Sequence, residues 1–299
     1  MRSAPYKGFS LGYERVGSGP AVVLLNGWPG DRHDYDLLAP KLSDRAEVIT
    51  VDLRGYGESD KHSDTAGSEN MENWYGVKGE ADAVSHLIEK ELGLSNVILG
   101  GYDVGSFVAQ TLASLRPDLI KGLVVSPPLP GAGRRILEVE PTRVYWYSSF
   151  IRTPLAEELL DGKPEAVRPF LRYLITYWSG PHHVVDENRI NHLTEMYSQP
   201  GTFIGGSGHY RTNWNNPVTF YANETTPPRN ERITTPTSIL WAEFDPCFPL
   251  SWSDRLDDFF TNWKMTVLKD CGHFTPIEAP DAWAIALDEQ LSGSILKQK

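Results

Sequence analysis

Three segments of the sequence place side chains capable of nucleophilic catalysis in turns that follow apolar runs. The first is Gly101-x-Asp103-x-Gly105, which stands between the apolar residues 97–99 and a stretch with apolar side chains at helical spacing. This pattern predicts a nucleophile elbow, a sharp turn between a strand and a helix that exposes its central side chain. Glycines flank that side chain because the neighbouring backbone comes too close to leave room for a Cβ atom.

The central residue of the turn is Asp103, although serine is the usual occupant of such an elbow. A carboxylate is already ionised at neutral pH and needs no base before it attacks. Its attack on an ester or amide would give an anhydride, so it is better suited to displacing a leaving group from a strained or activated sp³ carbon. The product would be an alkyl ester of Asp103, which an activated water can hydrolyse. The alternative interpretation is an ordinary acidic residue in a glycine-rich turn.

Asp245 and His273 follow two later apolar runs, in the order nucleophile, acid, base. Both are expected at the carboxyl ends of strands, the edge at which sites form in open α/β sheets. His273 is predicted to activate the hydrolytic water, and Asp245 to hold its imidazole in the required tautomer. Glu243 and Asp270 are the rival candidates for the acid.

Hydrolysis of an ester passes through a tetrahedral oxyanion, which needs hydrogen-bond donors. The backbone N–H of Val104, directly after the nucleophile, is the first predicted donor. The second is the N–H of Trp28, in the turn Gly27-Trp28-Pro29-Gly30 that follows the apolar residues 21–25. A plain turn at the end of a strand is the alternative for that segment.

The order of predicted elements is that of an α/β fold with a mostly parallel sheet. Strands are predicted at 11–16, 21–25, 47–51, 97–99, 122–125, 237–241 and 265–268, and helices at 35–42, 74–92, from 105, near 253–260 and from 281. Their alternation is typical of parallel strands joined by crossover helices. It is interrupted at 130–230 by helical and loop sequence rich in Trp and Tyr. We therefore predict a core formed by 1–129 and 231–299 and a helical cap domain at 130–230.

The composition excludes several classes of protein. The chain has 299 residues and a net charge of −11, which argues against binding to nucleic acid or to an anionic membrane surface. No apolar run reaches the length of a membrane span, and no secretory leader is expected in the polar first twenty residues. The two cysteines, Cys247 and Cys271, are too few for a disulfide framework, so a cytoplasmic location with free thiols is predicted.

Taken together, these motifs resemble the α/β-hydrolase-fold epoxide hydrolases, particularly the bacterial type acting on small epoxides such as epihalohydrins. The resemblance covers nearly the whole chain and rests on Asn26-Gly27-Trp28-Pro29, residues 52–60, Gly101–Gly105, 241–246 and 271–274, together with 146–148 and 205–211 in the cap. It implies an α/β-hydrolase core with a helical cap inserted after the sixth strand. It also implies that Tyr147 and Tyr210 hydrogen-bond the epoxide oxygen and protonate it as the ring opens, with Tyr145 the alternative for the first position.

Two positions, Asn26 and Val104, are compared with the residues that related families usually have there. Asn26 stands where that family usually has His, which leaves the hydrogen bonding of the turn open. Haloalkane dehalogenases typically follow their nucleophile with a halide-binding Trp and haloacetate dehalogenases with an Arg, whereas here the residue is Val104. A dehalogenase of the same fold and a non-catalytic binding protein remain the alternatives. A small apolar epoxide and water are the expected partners, homo-oligomer formation is left open, and no metal or organic cofactor is expected.

Overall fold

A single seven-stranded sheet carries the fold. The computed structural model describes residues 1–212 and 216–293. The strands run in the spatial order β1-β3-β2-β4-β5-β6-β7, and their bounds are β1 Tyr13–Gly17, β2 Ala21–Leu25, β3 Glu47–Val51, β4 Val97–Gly101, β5 Ile120–Val125, β6 Thr237–Ala242 and β7 Trp263–Leu268. The pairing of β1 with β3 is antiparallel and every other neighbouring pair is parallel. The predicted α/β architecture is therefore confirmed.

The central strands are buried on both faces, as continuous apolar runs require. Every residue of β2, β4 and β6 is buried. The α-helices that cover the sheet or lie beyond it are α1 Glu69–Tyr75, α2 Val77–His86, α3 Val104–Leu115, α4 Val139–Val144, α5 Trp146–Phe150, α6 Pro154–Leu160, α7 Pro164–Trp178, α8 Glu187–Tyr197, α9 Thr202–Gly206, α10 Gly208–Arg211, α11 Pro217–Ala222, α12 Thr275–Glu278 and α13 Pro280–Ser292.

Three predicted helices differ from those observed. The helix expected near 253–260 is a 3-10 helix at Leu250–Asp258, with a kink at Arg255. The expected helix at 35–42 is a pair of short 3-10 helices, Arg32–Tyr35 and Ala39–Lys41. Pro40 has no backbone N–H, so a continuous α-helix there would lose a hydrogen bond. The expected helix at 74–92 is divided into α1, α2 and a terminal π-helical turn, because Gly76 adopts an extended backbone with ψ 145°.

The polypeptide between β5 and β6 contains α4 to α11 and, among its described residues, no strand. In this sheet the insertion follows the fifth strand rather than the sixth. The reason is that the antiparallel pairing of Arg2 with Gly12 is an isolated bridge, too short to count as a strand before β1. The assignment of 130–230 as a separate domain stays a prediction. None of the described helices has both the length and the apolar character needed to cross a membrane.

Candidate active site

The nucleophile elbow lies between β4 and α3. Asp103 has φ 49° and ψ −125°, a conformation that is strained for any residue with a Cβ atom. The flanking glycines are required by close approach of the backbone: a Cβ on Gly101 would lie 2.4 Å from the carbonyl oxygen of Gly105, and one on Gly105 would lie 2.2 Å from that of Leu25. This tight turn therefore places the Asp103 carboxylate above the carboxyl edge of the sheet.

The predicted acid and base meet this carboxylate. Nδ1 of His273 is 2.9 Å from Oδ2 of Asp245, and Nε2 of His273 is 3.3 Å from Oδ2 of Asp103. The other oxygen of Asp245 accepts hydrogen bonds from the N–H groups of Cys247 and Phe248, which fixes the orientation of the carboxylate. The His273 ring is buried, and its own backbone N–H donates to the carbonyl of Trp178.

Electrostatics favour the imidazolium form of His273 in this arrangement. Burial disfavours the charge, but the carboxylates of Asp245 and Asp103 outweigh that effect and raise the pKa of His273 to about 10. The contact between Nε2 and Asp103 is not aligned as a hydrogen bond, so the attraction there is a matter of charge. A change that neutralised Asp103 would remove part of this support for the proton on His273.

Of the two predicted oxyanion donors, the backbone N–H of Trp28 contacts the nucleophile directly. Its N–H donates to Oδ1 of Asp103 at 2.6 Å. The N–H of Val104 is at the first position of α3, where a helix offers no partner within itself. Asn26 braces the same turn: its amide donates to the carbonyl of Gly27, and its Oδ1 accepts from the N–H of Leu53. Asn26 thereby ties the turn after β2 to the loop after β3.

The two predicted tyrosines converge from different helices of the inserted segment. Tyr147 on α5 and Tyr210 on α10 place their hydroxyl oxygens 3.4 Å apart, and both side chains are buried. Trp28 stacks on Tyr147 with ring centroids 5.5 Å apart and meets Tyr210 edge-on at 5.0 Å. Burial raises the pKa of both phenols well above the ordinary value, so both are protonated at neutral pH. Tyr145, the alternative, donates instead to the carbonyl of Cys247.

The competing carboxylates lie elsewhere. Glu243 pairs with Lys269 at 2.9 Å, and its side chain is half-buried. Asp270 is exposed and lies 3.8 Å from an exposed histidine, His182. Ser106, the nearest serine to the elbow, is buried within α3 and donates to the carbonyl of Pro128. Neither carboxylate contacts His273, so the geometry favours Asp245 as the acid.

A nearly closed cavity of about 10 Å³ joins these groups, which is room for about one water, so any larger molecule can enter only if the cavity widens. It is lined by Asp103, Phe107, Pro128, Tyr145, Tyr147, His209, Tyr210, Pro217, Cys247, Phe248 and His273. No lysine or arginine is among the described residues that line it. His209 and Cys247 were not predicted to line it, although each is close in sequence to a predicted site residue, His209 to Tyr210 and Cys247 to Asp245. Burial lowers the pKa of His209 to about 4, so the ring is neutral at neutral pH.

Among the described residues, two groups of side chains bring potential metal-ligand atoms close together. Asp245, Cys247 and His273 offer three within 4.8 Å of one another, but the first and last of these are already hydrogen-bonded together. Both cysteines are free and buried. The second group lies outside this cavity and contains Asp31, His33 and His192.

Comparison with known proteins gives consistent matches. The family described as alpha/beta hydrolase fold matches residues 20–280. The chain is similar to the soluble epoxide hydrolase of Corynebacterium sp., with 27% identity covering 93% of this chain and 92% of that protein. It is also similar to the fluoroacetate dehalogenase of Burkholderia sp., with 31% identity covering 65% of this chain and 63% of that protein. Among solved structures, a mutant epoxide hydrolase from Bacillus megaterium complexed with its diol product superposes with a TM-score of 0.80 at 20% identity, covering 98% of this chain and 100% of that chain.

Proposed function

The chain belongs to the α/β-hydrolase fold family, and from that premise we propose that it is an epoxide hydrolase that converts an epoxide to a vicinal diol. The observation that carries this proposal is the convergence of an aspartate nucleophile with two protonated phenols in one closed cavity. The phenols suit a leaving group that departs as an alkoxide, and the aspartate suits an sp³ carbon. The resemblance to named epoxide hydrolases adds support.

In the proposed first step, Oδ2 or Oδ1 of Asp103 attacks a ring carbon and the C–O bond of the epoxide breaks. Tyr147 or Tyr210 gives its proton to the departing oxygen, because an alkoxide is a poor leaving group even with ring strain. The products are an alkyl ester of Asp103, a hydroxyl group and a tyrosinate. Loss of the Asp103 charge lowers the pKa of His273, so its imidazolium proton can pass to the tyrosinate.

The second step then begins with a neutral His273 and both phenols restored. His273 takes a proton from a water, which attacks the carbonyl carbon of the ester. The tetrahedral oxyanion accepts hydrogen bonds from the N–H groups of Trp28 and Val104. Its collapse breaks the bond to the alkyl oxygen, which takes the proton of the newly added hydroxyl and leaves as the diol. Asp103 returns as a carboxylate beside an imidazolium, so the cycle closes with one water consumed.

The substrate we propose is a small, uncharged and apolar epoxide. The lining of the cavity is largely aromatic, and its described residues include no arginine or lysine that would pair with a substrate carboxylate. This argues against haloacids as substrates. The similarity to fluoroacetate dehalogenase nevertheless makes a dehalogenase of the same fold the second candidate. A cytoplasmic location is part of the proposal, since both thiols are buried and unpaired.

A single turnover in ¹⁸O-labelled water tests the proposal. With enzyme in excess over styrene oxide, the oxygen added to the first diol comes from the Asp103 carboxylate, so that diol carries no label and the carboxylate gains it. Diol labelled in the first turnover would refute the ester route, and no diol from a panel of aliphatic and aromatic epoxides would favour a binding protein. Halide release from fluoroacetate or a haloalkane, without epoxide hydrolysis, would favour the dehalogenase.

A further inference from the structure

A second cluster of ionisable side chains lies outside the catalytic cavity, at a cleft of about 500 Å³. Asp31 and His33 belong to the segment that follows β2, and His192 lies on α8 of the inserted segment. One donor atom from each of these three residues lies within 4.8 Å of the other two. Residues about 160 positions apart in sequence therefore present a carboxylate and two imidazoles to one point.

The carboxylate of this cluster is held in a fixed orientation. Oδ1 of Asp31 accepts a hydrogen bond from the N–H of His33 at 3.0 Å, while Oδ2 lies 2.6 Å from Nε2 of His192. The Asp31 side chain is only 3% exposed, whereas that of His192 is 46% exposed. Nδ1 of His33 is 3.2 Å from Oδ2 of Asp36, a contact that orients its ring. The cluster is thus anchored on one side and open to the cleft on the other.

The charge balance of the cluster depends on the protonation of its two histidines. The neighbouring arginines are already engaged, Arg32 with Asp52 and Arg189 with Asp34. Within the described residues, the side chains paired with Asp31 and Asp36 are both histidines. When those imidazoles are neutral, the two carboxylates carry two negative charges, which a divalent cation would balance.

We propose that Asp31, His33 and His192 form a binding site for a divalent transition-metal ion, with Asp36 as its supporting carboxylate. Two imidazoles and one carboxylate suit Zn²⁺, Co²⁺ or Ni²⁺, whereas Mg²⁺ and Ca²⁺ prefer all-oxygen sites. A carboxylate behind a ligating histidine is the usual support for such a site. The remaining coordination positions face the cleft and are available to water.

The bound ion would join the two parts of the chain that enclose the catalytic cavity. Asp31 follows the oxyanion donor Trp28 by three residues, and His192 lies on α8. Coordination by both ligands therefore fixes α8 to the turn that carries Trp28. We expect a saturating ion to raise the melting temperature of the protein, by roughly 5 °C at a hundredfold excess over its dissociation constant.

The test is a titration of untagged, chelator-treated protein with Co²⁺, followed by visible absorption and by calorimetry at mildly alkaline pH. We expect one ion per chain, an absorption band of nitrogen and oxygen coordination, and displacement of Co²⁺ by Zn²⁺. His192→Ala and His33→Ala should abolish the band, and Asp36→Asn should weaken binding by roughly tenfold to a hundredfold. His192 and His33 are half-exposed, so neither change should prevent folding.

His183→Ala is the matched control, since His183 lines the same cleft outside the cluster. The control variant should bind Co²⁺ as the parent does. Parental affinity for Co²⁺ in both His192→Ala and His33→Ala would overturn the assignment. The absence of stoichiometric Co²⁺ binding to the parent would also overturn it, and the cluster would then consist of imidazolium–carboxylate pairs alone. Circular dichroism of each variant separates loss of a ligand from loss of the fold.

Discussion

Neutralising the nucleophile should change the protonation of the base. In Asp103→Asn the side chain keeps an oxygen that can accept from the N–H of Trp28, but its negative charge is gone. The variant therefore imitates the charge state of the alkyl ester while leaving Asp245 in place. We expect the pKa of His273 to fall, because one of the two carboxylates that stabilise its imidazolium has been removed.

The size of this fall follows from the geometry. Nε2 of His273 lies 3.3 Å from the Asp103 carboxylate. At an effective dielectric constant of about 20, two unit charges at that separation interact by about 5 kcal/mol. This energy corresponds to between three and four pKa units, which is the upper limit of the expected fall in the pKa of His273. A carboxylate this close to a titrating group shifts its pKa by about one to three units in proteins. From about 10 in the parent, the pKa of His273 should reach about 7 to 9 in the variant.

Imidazole resonances followed by NMR over a pH series measure this shift. His33 lies outside the catalytic cavity, and its hydrogen bond to Asp36 raises its pKa to about 9, so its unchanged titration in both proteins serves as the internal control. A second readout is the pH dependence of stability. The raised pKa of His273 gives a stabilisation that is complete below about pH 6.5 and is lost as the pH rises through about 10. Asp103→Asn should therefore reduce the loss of stability at alkaline pH. An unchanged titration of His273 in the variant would refute the coupling.

Four further substitutions test other parts of the site and core. In rapid-quench assays, Tyr147→Phe or Tyr210→Phe should slow formation of the alkyl-enzyme about tenfold to a hundredfold, and the double variant should slow it by about 10² to 10⁴. A double variant that forms the alkyl-enzyme at the parental rate would contradict the role of the two tyrosines as acids. Burial raises the pKa of Glu80 to about 8, so the stability linked to its proton is complete below pH 4.5 and lost as the pH rises through about 8. Glu80→Gln should therefore remove roughly 5 kcal/mol of pH dependence from the free energy of unfolding in urea. A pH profile like the parent's would show the reasoning to be wrong. Asn26→Ala leaves the buried N–H of Leu53 without its side-chain acceptor and should cost about 1–3 kcal/mol in the same assay, whereas parental stability would mean that Asn26 does not brace the turn.

The elements that carry the site could be predicted because their signals are local. Continuous apolar runs predict doubly buried strands, and β2 and β3 have the predicted bounds. The glycines around Asp103 indicate the elbow because only a backbone of unusual dihedral angles needs them. Helix boundaries were less accurate, since Pro40 and Gly76 break apolar patterns that are periodic on both sides.

The contacts that complete the site could not be predicted from local pattern. His209 precedes Tyr210 and Cys247 follows Asp245 by two residues, but no motif in the sequence assigns either side chain to the cavity with Asp103. The choice of Asp245 over Glu243 depended on turn position, whereas the structure bases it on a hydrogen bond across 28 residues. The pairing of Asp31 with His192 spans 161 residues. This last contact is set by packing of the inserted segment on the core, which has no periodic signature.

The ester on Asp103 is the central claim, and intact mass tests it most directly. His273→Gln should stop hydrolysis after alkylation, so exposure of that variant to styrene oxide or epibromohydrin should add the full mass of the epoxide to the protein. Asp103→Asn/His273→Gln is the matched control and should stay unmodified. An adduct of the same mass on the control, or an adduct from epibromohydrin that lacks bromine, would contradict the account; the predicted result is a stable, bromine-containing adduct that requires Asp103.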